Sequence, residues 1–438
     1  MSDNDDPAVV VGFALEAPGG VETADDFWAL LSEQREALGP FPTDRGWALR
    51  ELFDGSRRDG FKPIHNLGGF LSSATVFDPE FFGISRREAT AMDPQQRVGL
   101  RLAWRSVENS GINPDDLAGH EVGCYVGAST LEYGPALSEF SHHSGHLITG
   151  TSLGVISGRI AYTLDLAGPA LTIDTACSSA LAAFHTAVQA IRAGDCDLAL
   201  AGAVCVMGTP GYFVEFSSKH ALSDDGHCRP YSALASGTVW AEGAAMFVLQ
   251  RKSRAVADGR RILAEVRASC LNSDGRSNGL MAPSGAAQLR LFRRAIAQAG
   301  VEPVDVGMIE GHATGTRLGD RTELCSLAAS YGTAPPGRGP LLGSVKSNIG
   351  HSQAAAGALG LAKVILSAEH GAVPPTLHVD EPSHEIDWDK QGLRLADKLT
   401  PWRAVDGWRT AAVSAFGMSG TNTHLIVSMP DAGSPDAA

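Results

Sequence analysis

The chain has 438 residues, of which 49 are acidic and 35 basic, for a formal charge of −14. Such a length excludes a small stapled scaffold and gives room for two or three lobes around a large core. The acidic balance disfavours a nucleic-acid partner, which would need clustered positive charge to release counterions.

Seven cysteines at 124, 177, 196, 205, 228, 270 and 325 form an odd set without a CxxC. This argues against a disulfide framework or a thiolate metal cluster and points to a reducing, cytoplasmic setting. No basic-then-apolar leader and no run of 18 apolar residues occurs, so neither export nor membrane spanning is indicated. The basic candidates for contact with an acidic partner are Arg57-Arg58, Arg86-Arg87 and the 251–261 segment, each read more readily as a solvated face.

Taken in chain order, residues 1–7 and 429–438 carry the Asp, Pro, Ser and Ala bias of tails, expected to be disordered. Between them β-rich runs alternate with helical segments, the pattern of α/β architecture. "APGG" at 17–20 and "GGF" at 68–70 lack a strand-GxGxxG-helix context and read as turns, not nucleotide sites. "EVGCYVGAST" from 121 reads as a strand stopping in a small-residue loop. "SHHSGH", with His142, His143 and His146, lacks a nearby carboxylate or cysteine framework and reads as a surface loop, so no metal is expected there.

"LTIDTACSSALAAF" at 171–184 runs a β-branched segment through a tight polar turn into a helix that stops at Gly194. Cys177 falls in that turn. Helix-end N–H groups and the dipole favour a thiolate there and predict a lowered pKa, hence a nucleophile. Ala176, Ser178, Ser179 and Ala180 leave room for a substrate carbonyl, and the Cys177 N–H is placed to hold an oxyanion.

The same grammar returns in the second half. "VGMIEGHATGT" from 306 and "LLGSVKSNIGHSQAAAGALGLAKVILSAEHG" from 341 repeat strand, loop, strand, turn and helix, and "RTAAVSAFGMSGTN" matches the strand "DLALAGAVCV" of the first half. The chain reads as two similar halves, 8–265 and 266–428, whose pseudo-dyad would bring Cys177 and the 346–351 cluster into one cleft. His312 and His351, in loops that follow strands, are the candidate proton carriers or neutral donors. Lys346 should be buried and therefore needs a carboxylate, with Glu323 or Asp320 as candidates.

These residues assemble into a pattern that resembles β-ketoacyl synthases, most closely the ketosynthase domains of bacterial modular type I polyketide synthases. "DTACSSAL" is similar to the nucleophile motif, "EGHATGT" to the first histidine motif and "VKSNIGHSQAAAG" to the second. "GGFLSSATVFDPEFFGISRREATAMDPQQR", "LHVDEPS" and "FGMSGTNTH" follow in the family's order, and the similarity runs from about Val9 to Val427.

The resemblance implies a thiolase fold, five-layered α-β-α-β-α with two pseudo-symmetric halves, in a homodimer. It implies that Cys177 accepts an acyl chain from an acyl carrier protein. His312 and His351 would assist decarboxylation of a malonyl-type extender, supported by Lys346 with Glu323. The oxyanion hole would be the N–H groups of Cys177 and Met418. Thr314 and Thr316 would hydrogen-bond the phosphopantetheine arm, and Asn348 and Phe416 would line the cleft. No bound cofactor is implied, only phosphopantetheine thioesters as substrates.

The sequence departs from the family's pattern at Ala313 (HATGT for HGTGT), in "GDRTE" for GDPIE, at Ser236 where Asp is usual and at Ser273 where Gln is common, with consequences for loop packing or acyl preference. The expected activity is decarboxylative Claisen condensation by an apparently free-standing or excised ketosynthase. Acyl transfer without decarboxylation is the first alternative. A silent chain-length subunit, which would lack the nucleophile, is the second.

Overall fold

The protein is described by a computed structural model over residues 6–54, 60–130 and 132–431. Its duplication is written in the strand pairing. The first half supplies β1 (Ala8–Glu16), β2 (Val122–Gly127), β3 (Ala170–Ile173), β4 (Leu198–Cys205) and β5 (Gly243–Arg251). The second supplies β6 (Ala264–Ser273), β7 (Val306–Glu310), β8 (Leu341–Gly343), the short β9 (Ala372–Val373), β10 (Arg394–Leu395) and β11 (Thr400–Pro401), then β12 (Trp408–Phe416) and β13 (Thr421–Pro430).

Outward from β1 the order is β1-β5-β4-β2-β3, with two antiparallel pairings followed by two parallel ones. Outward from β6 it is β6-β13-β12-β7-β8, with the same two antiparallel and two parallel pairings. β10 extends the second half, and β9 pairs with β11 apart from it. The halves touch edge to edge only where Val9 and Val10 pair with Glu265 and Ala264.

Alternation along the strands divides the core into layers, because successive side chains of a strand point to opposite faces. On β5, Ala245, Phe247 and Leu249 enter a central cluster, whereas Ala244, Met246 and Val248 enter an outer one. The outer cluster of the first half is capped by α1 (Pro94–Asn109) through Val98, Leu102 and Val107.

Sandwiched in the centre are α2 (Ser179–Ala193) and, from the second half, α6 (Ala356–Glu369). α3 (Gly285–Ala299) and α4 (Arg317–Ala328) cap the third cluster with Leu291, Phe292, Leu324 and Leu327. The short α5 (Lys346–Ile349) lies between β8 and α6. The result is the five-layered α-β-α-β-α arrangement. Among the described residues no helix is long and apolar enough to cross a membrane.

The central layer dictates the composition of α6. With sheets on both sides a helix has no polar face, and Ala356 through Ala368 are all buried. α6 and α2 meet closely enough that a Cβ at Gly357 would lie 2.5 Å from Leu181 Cγ. One charge enters this layer: Lys363 Nζ sits 2.8 Å from Glu310 Oε2, both essentially without solvent contact. The contact is charge to charge, without aligned hydrogen-bond geometry.

Three sequence expectations are corrected. The proposed join at 265/266 falls inside β6, because the sheet pairing carries straight through it. The tail expected from 429 starts later, since Met429 and Pro430 finish β13 opposite Arg409 and Trp408. Residues 6–7 are held, Asp6 accepting from Ser253 and the Pro7 carbonyl from Lys252. The remaining tail residues and Arg57-Arg58 lie outside the described residues. In the 251–261 segment Lys252 pairs with Glu265, Arg254 and Arg260 with Asp258, and Arg261 with Glu369, which makes a neutralised face.

Removing one member of a buried ion pair strands the other. Lys363→Ala should therefore lower the free energy of unfolding by about 3–5 kcal/mol, and the double change Lys363→Met with Glu310→Gln should cost less than that single change. Chemical denaturation followed by circular dichroism checks both; equal losses would mean that the charge is not what matters.

Candidate functional site

The turn between β3 and α2 is built to turn one side chain out of the sheet. Asp174 Oδ1 accepts from the Ala176 N–H at 2.9 Å and from Ser129 Oγ at 2.9 Å. Ser179 Oγ accepts from the Thr175 N–H at 2.9 Å and donates to the Ala176 carbonyl at 2.6 Å. Between these ties Ala176 is forced to φ +57°, a left-handed conformation that costs an L-residue about 1–3 kcal/mol.

Close backbone approach completes the turn. Any Cβ at Gly127, the last residue of β2, would lie 2.6 Å from the Ser179 carbonyl carbon, and one at Gly417 would lie 2.1 Å from the Thr175 carbonyl oxygen. The Gly417 contact seats the next residue, and the N–H groups of Met418 and of Cys177 itself act on the Cys177 sulfur to favour its charged form.

Cys177 is 9% exposed, and that exposure faces a cavity of about 720 Å³. His312, His351, Thr314, Thr316 and Phe416 share the cavity wall. The cleft expected from the pseudo-dyad is therefore formed, with the first half giving the thiol and the second the imidazoles.

Each histidine is held by its backbone. The N–H groups of His312 and Ala313 donate to the two oxygens of Glu323, on α4, both at 2.8 Å. His351 donates its N–H to the Val239 carbonyl at 2.7 Å, and its carbonyl accepts from Ala241 at 2.9 Å. His351 Nδ1 accepts from the Gln353 N–H at 3.2 Å, so the ring proton resides on Nε2. The two rings meet edge to face with centroids 5.4 Å apart. Trp240 backs His351 at 5.0 Å and Phe416 backs His312 at 5.4 Å.

Electrostatics separate these groups from their ordinary behaviour. Loss of water, and then the Lys346 ammonium, holds both imidazoles well below the usual histidine range, with each other's proximity adding to the effect on His312. Both are neutral at pH 7. Cys177 contradicts the expectation of a lowered pKa: burial pushes its thiol up to about 11, although Lys346 and the two N–H groups pull the other way. Cys177 precedes Ser178, the N-cap of α2, and the dipole does not offset the loss of water.

The partner expected for Lys346 is also corrected. Its ammonium, buried and lowered by desolvation, is stabilised first by Glu310 and next by Glu323. Asp320 instead accepts from the Tyr231 N–H at 3.0 Å, and burial raises its carboxyl to about 7. Asn348 does not line the cavity: its Nδ2 donates away from it, to the Arg35 carbonyl at 3.1 Å.

Thr314 and Thr316 place their hydroxyls 3.0 Å apart on the wall. Ala313 and Ser236 touch the cavity as well, and Ser236 Oγ accepts from the Asp224 N–H. Ser273, paired with Thr421 at the end of β6, does not. Sequence reasoning missed Glu310, Gln353 and Trp240. A carboxylate closing the apolar strand "VGMIE" was the available signal for the first.

A thiol with a raised pKa is protonated at neutral pH, and its reactive fraction grows with alkalinity. The rate of Cys177 alkylation by iodoacetamide, followed by mass spectrometry, should rise about tenfold per pH unit between about pH 7 and 9. A plateau below about pH 8 would show a thiolate already formed.

Two family models match the chain, the β-ketoacyl synthase N-terminal domain over residues 5–255 and the C-terminal domain over 263–380. Among curated relatives, polyketide synthase GfsB of Streptomyces halstedii is 48% identical over 425 residues, 97% of this chain and 8% of its own length. Erythronolide synthase EryA2 of Saccharopolyspora erythraea is 48% identical over 96% of this chain and 12% of its own. The chain thus spans about a tenth of the length of these relatives.

Among solved structures, the ketosynthase from module 6 of the bacillaene synthase of Bacillus subtilis 168 superposes with a TM-score of 0.89 at 34% identity, covering 98% of this chain and 73% of that one. The oxazolomycin ketosynthase domain OzmH KS7 of Streptomyces albus JA3453 gives 0.88 at 35% identity, covering 98% and 76%. The layers, their duplicated strand order and the matched sequence agree: this chain has the thiolase fold and belongs to the β-ketoacyl synthase family.

Proposed function

We propose that the protein is an acyltransferase of the 3-oxoacyl-carrier-protein synthase type, performing decarboxylative Claisen condensation in polyketide biosynthesis. The observation that carries this reading is a cavity in which one cysteine, fitted with two backbone N–H groups, faces two imidazoles that are neutral at pH 7.

In the first half-reaction the Cys177 sulfur attacks an acyl thioester on a carrier protein. The developing oxyanion is held by the N–H groups of Cys177 and Met418, the carrier's thiolate leaves, and the cysteine proton passes to it. Transfer from one thioester to another is nearly balanced, so the acyl group stays activated.

In the second, the carbon–carbon bond of a malonyl-type thioester breaks and CO2 leaves. The electron pair is delocalised onto the thioester oxygen, where ring N–H groups of His351 and His312 donate to it. Neutral imidazoles suit this task, because they stabilise the enolate without giving up a proton that would quench its carbon. That carbon attacks the acyl carbonyl on Cys177, and collapse expels the cysteine thiolate, which takes up one proton. Lys346 supports the pair by its charge, and Thr314 and Thr316 serve as partners for the phosphopantetheine arm. The surroundings are a reducing cytoplasm.

A homodimer completes the reading. β3 is an edge strand carrying the exposed Leu171, and Tyr162, Ile148 and Phe140 of the same half are also exposed apolar residues. Exposed apolar surface beside an open strand edge favours pairing with a second copy.

Cys177→Ala should abolish acylation. His312→Ala and His351→Ala should keep acylation and lower elongation with a malonyl carrier protein by about 10²–10⁴-fold, read as CO2 release and β-keto product. Equal loss of both steps in the histidine variants contradicts the assigned roles. Leu171→Asp should give a monomer in sedimentation; an unchanged dimer would remove β3 from the interface.

A further inference from the structure

Outside the cavity lining, beside residues that hold the two histidine loops, three side chains from remote parts of the chain converge. His227 Nδ1 lies 2.8 and 2.9 Å from the two oxygens of Glu36, and His378 Nε2 lies 3.0 Å from Glu36 Oε1. The rings are 4.9 Å apart, and one ligand atom from each residue falls within 4.8 Å of the others. All three are partly exposed, which leaves an entry path from solvent.

The donor set is two imidazoles and one carboxylate, the composition that binds zinc-class divalent cations through three protein ligands while leaving a position open. Ligand atoms around a tetrahedral ion with bonds of about 2.0–2.1 Å are about 3.3 Å apart; the imidazole–carboxylate distances of 2.8–3.0 Å are within a few tenths of an ångström of that, and the two ring nitrogens, within 4.8 Å of each other, would draw together around the ion. Charge also fits. The cations closest in sequence are already paired, Arg35 with Glu33 and Arg229 with Asp225, so the carboxylate of Glu36 remains available.

Each of the three residues adjoins one that clamps a histidine loop. Arg35 and Ala37 both bond Asn348, Cys228 Sγ donates to the Thr314 carbonyl at 3.3 Å, and the Leu377 N–H donates to Ser347 Oγ at 2.9 Å. We propose that Glu36, His227 and His378 form a structural site for a zinc-class divalent cation that fastens three segments beside the loops carrying His312 and His351.

The test uses Cys177→Ala protein, so that the cavity thiol does not compete for metal. Calorimetric titration with Zn2+ should find one saturable equivalent, and Co2+ at the same site should give visible d–d absorption. Adding Glu36→Gln, which keeps hydrogen-bond capacity but removes the charge, or His227→Ala should weaken binding by at least about tenfold. Zn2+ should raise the melting temperature of the parent and not of these variants, through preferential binding to the folded state. Circular dichroism establishes that the Glu36→Gln protein is folded. Failure to saturate at one equivalent, or an affinity unchanged in both variants, overturns the site.

Discussion

One buried carboxylate organises the second half of the molecule. Glu310 closes β7, where the strand gives way to the loop that carries His312. One oxygen faces Lys363 in the central helix, and the other accepts from the Val345 N–H at 2.6 Å, at the threshold of α5. Glu310 is also the strongest influence favouring the charged form of Lys346. A single negative charge thus compensates an ammonium on each side. Taking any one of these charges out of water would be prohibitive alone; together they are tolerable and fix where two loops begin.

The reactivity of the cavity follows from that arrangement. Lys346 brings a positive charge next to two imidazoles that have already lost their water, and both effects act against protonation. Cys177 experiences the same two causes in opposition, because dehydration disfavours the thiolate while Lys346 favours it, and dehydration dominates. The resting site is consequently a neutral thiol facing neutral donors. In the proposed reaction, attack on a thioester requires the proton to leave as sulfur bonds carbon, beside N–H groups that would stabilise negative charge first on sulfur and then on oxygen.

The parts legible in the sequence were those governed by local rules or by repetition. The strand-turn-helix around Cys177 and its echo at 341–371 foretold both the halves and the shared cleft, because the same short-range grammar appears twice. Burial of Lys346 was legible from its place beside an apolar strand. Its leading partner was not, because Glu310 lies on a neighbouring strand and pairs across the sheet, a relation that no sequence interval encodes. Asn348 shows the weakness of carrying a role along a motif: two residues round a four-residue helix turn the side chain from the cavity toward Arg35. The cysteine pKa failed for a different reason. The helix-end rule is local, whereas desolvation sums over everything packed around the sulfur.

The two halves share a strand order yet present different side chains to the cleft, and the difference lies in the connection entering the central helix. After β3 the chain reaches α2 through residues 174–178 alone, so tight a path that Ala176 takes a left-handed conformation and the buried Cys177 is turned toward the cavity. After β8 the corresponding path occupies residues 344–355 and winds through α5 before α6 begins. That additional length carries His351 away from its own strand to a site between Val239 and Ala241 of the first half. A short connection strains one residue toward the cavity, whereas a long one reaches across the dyad and lets the opposite half hold it. The two connections reach one cleft, and their unequal length places a thiol on one side of it and an imidazole on the other.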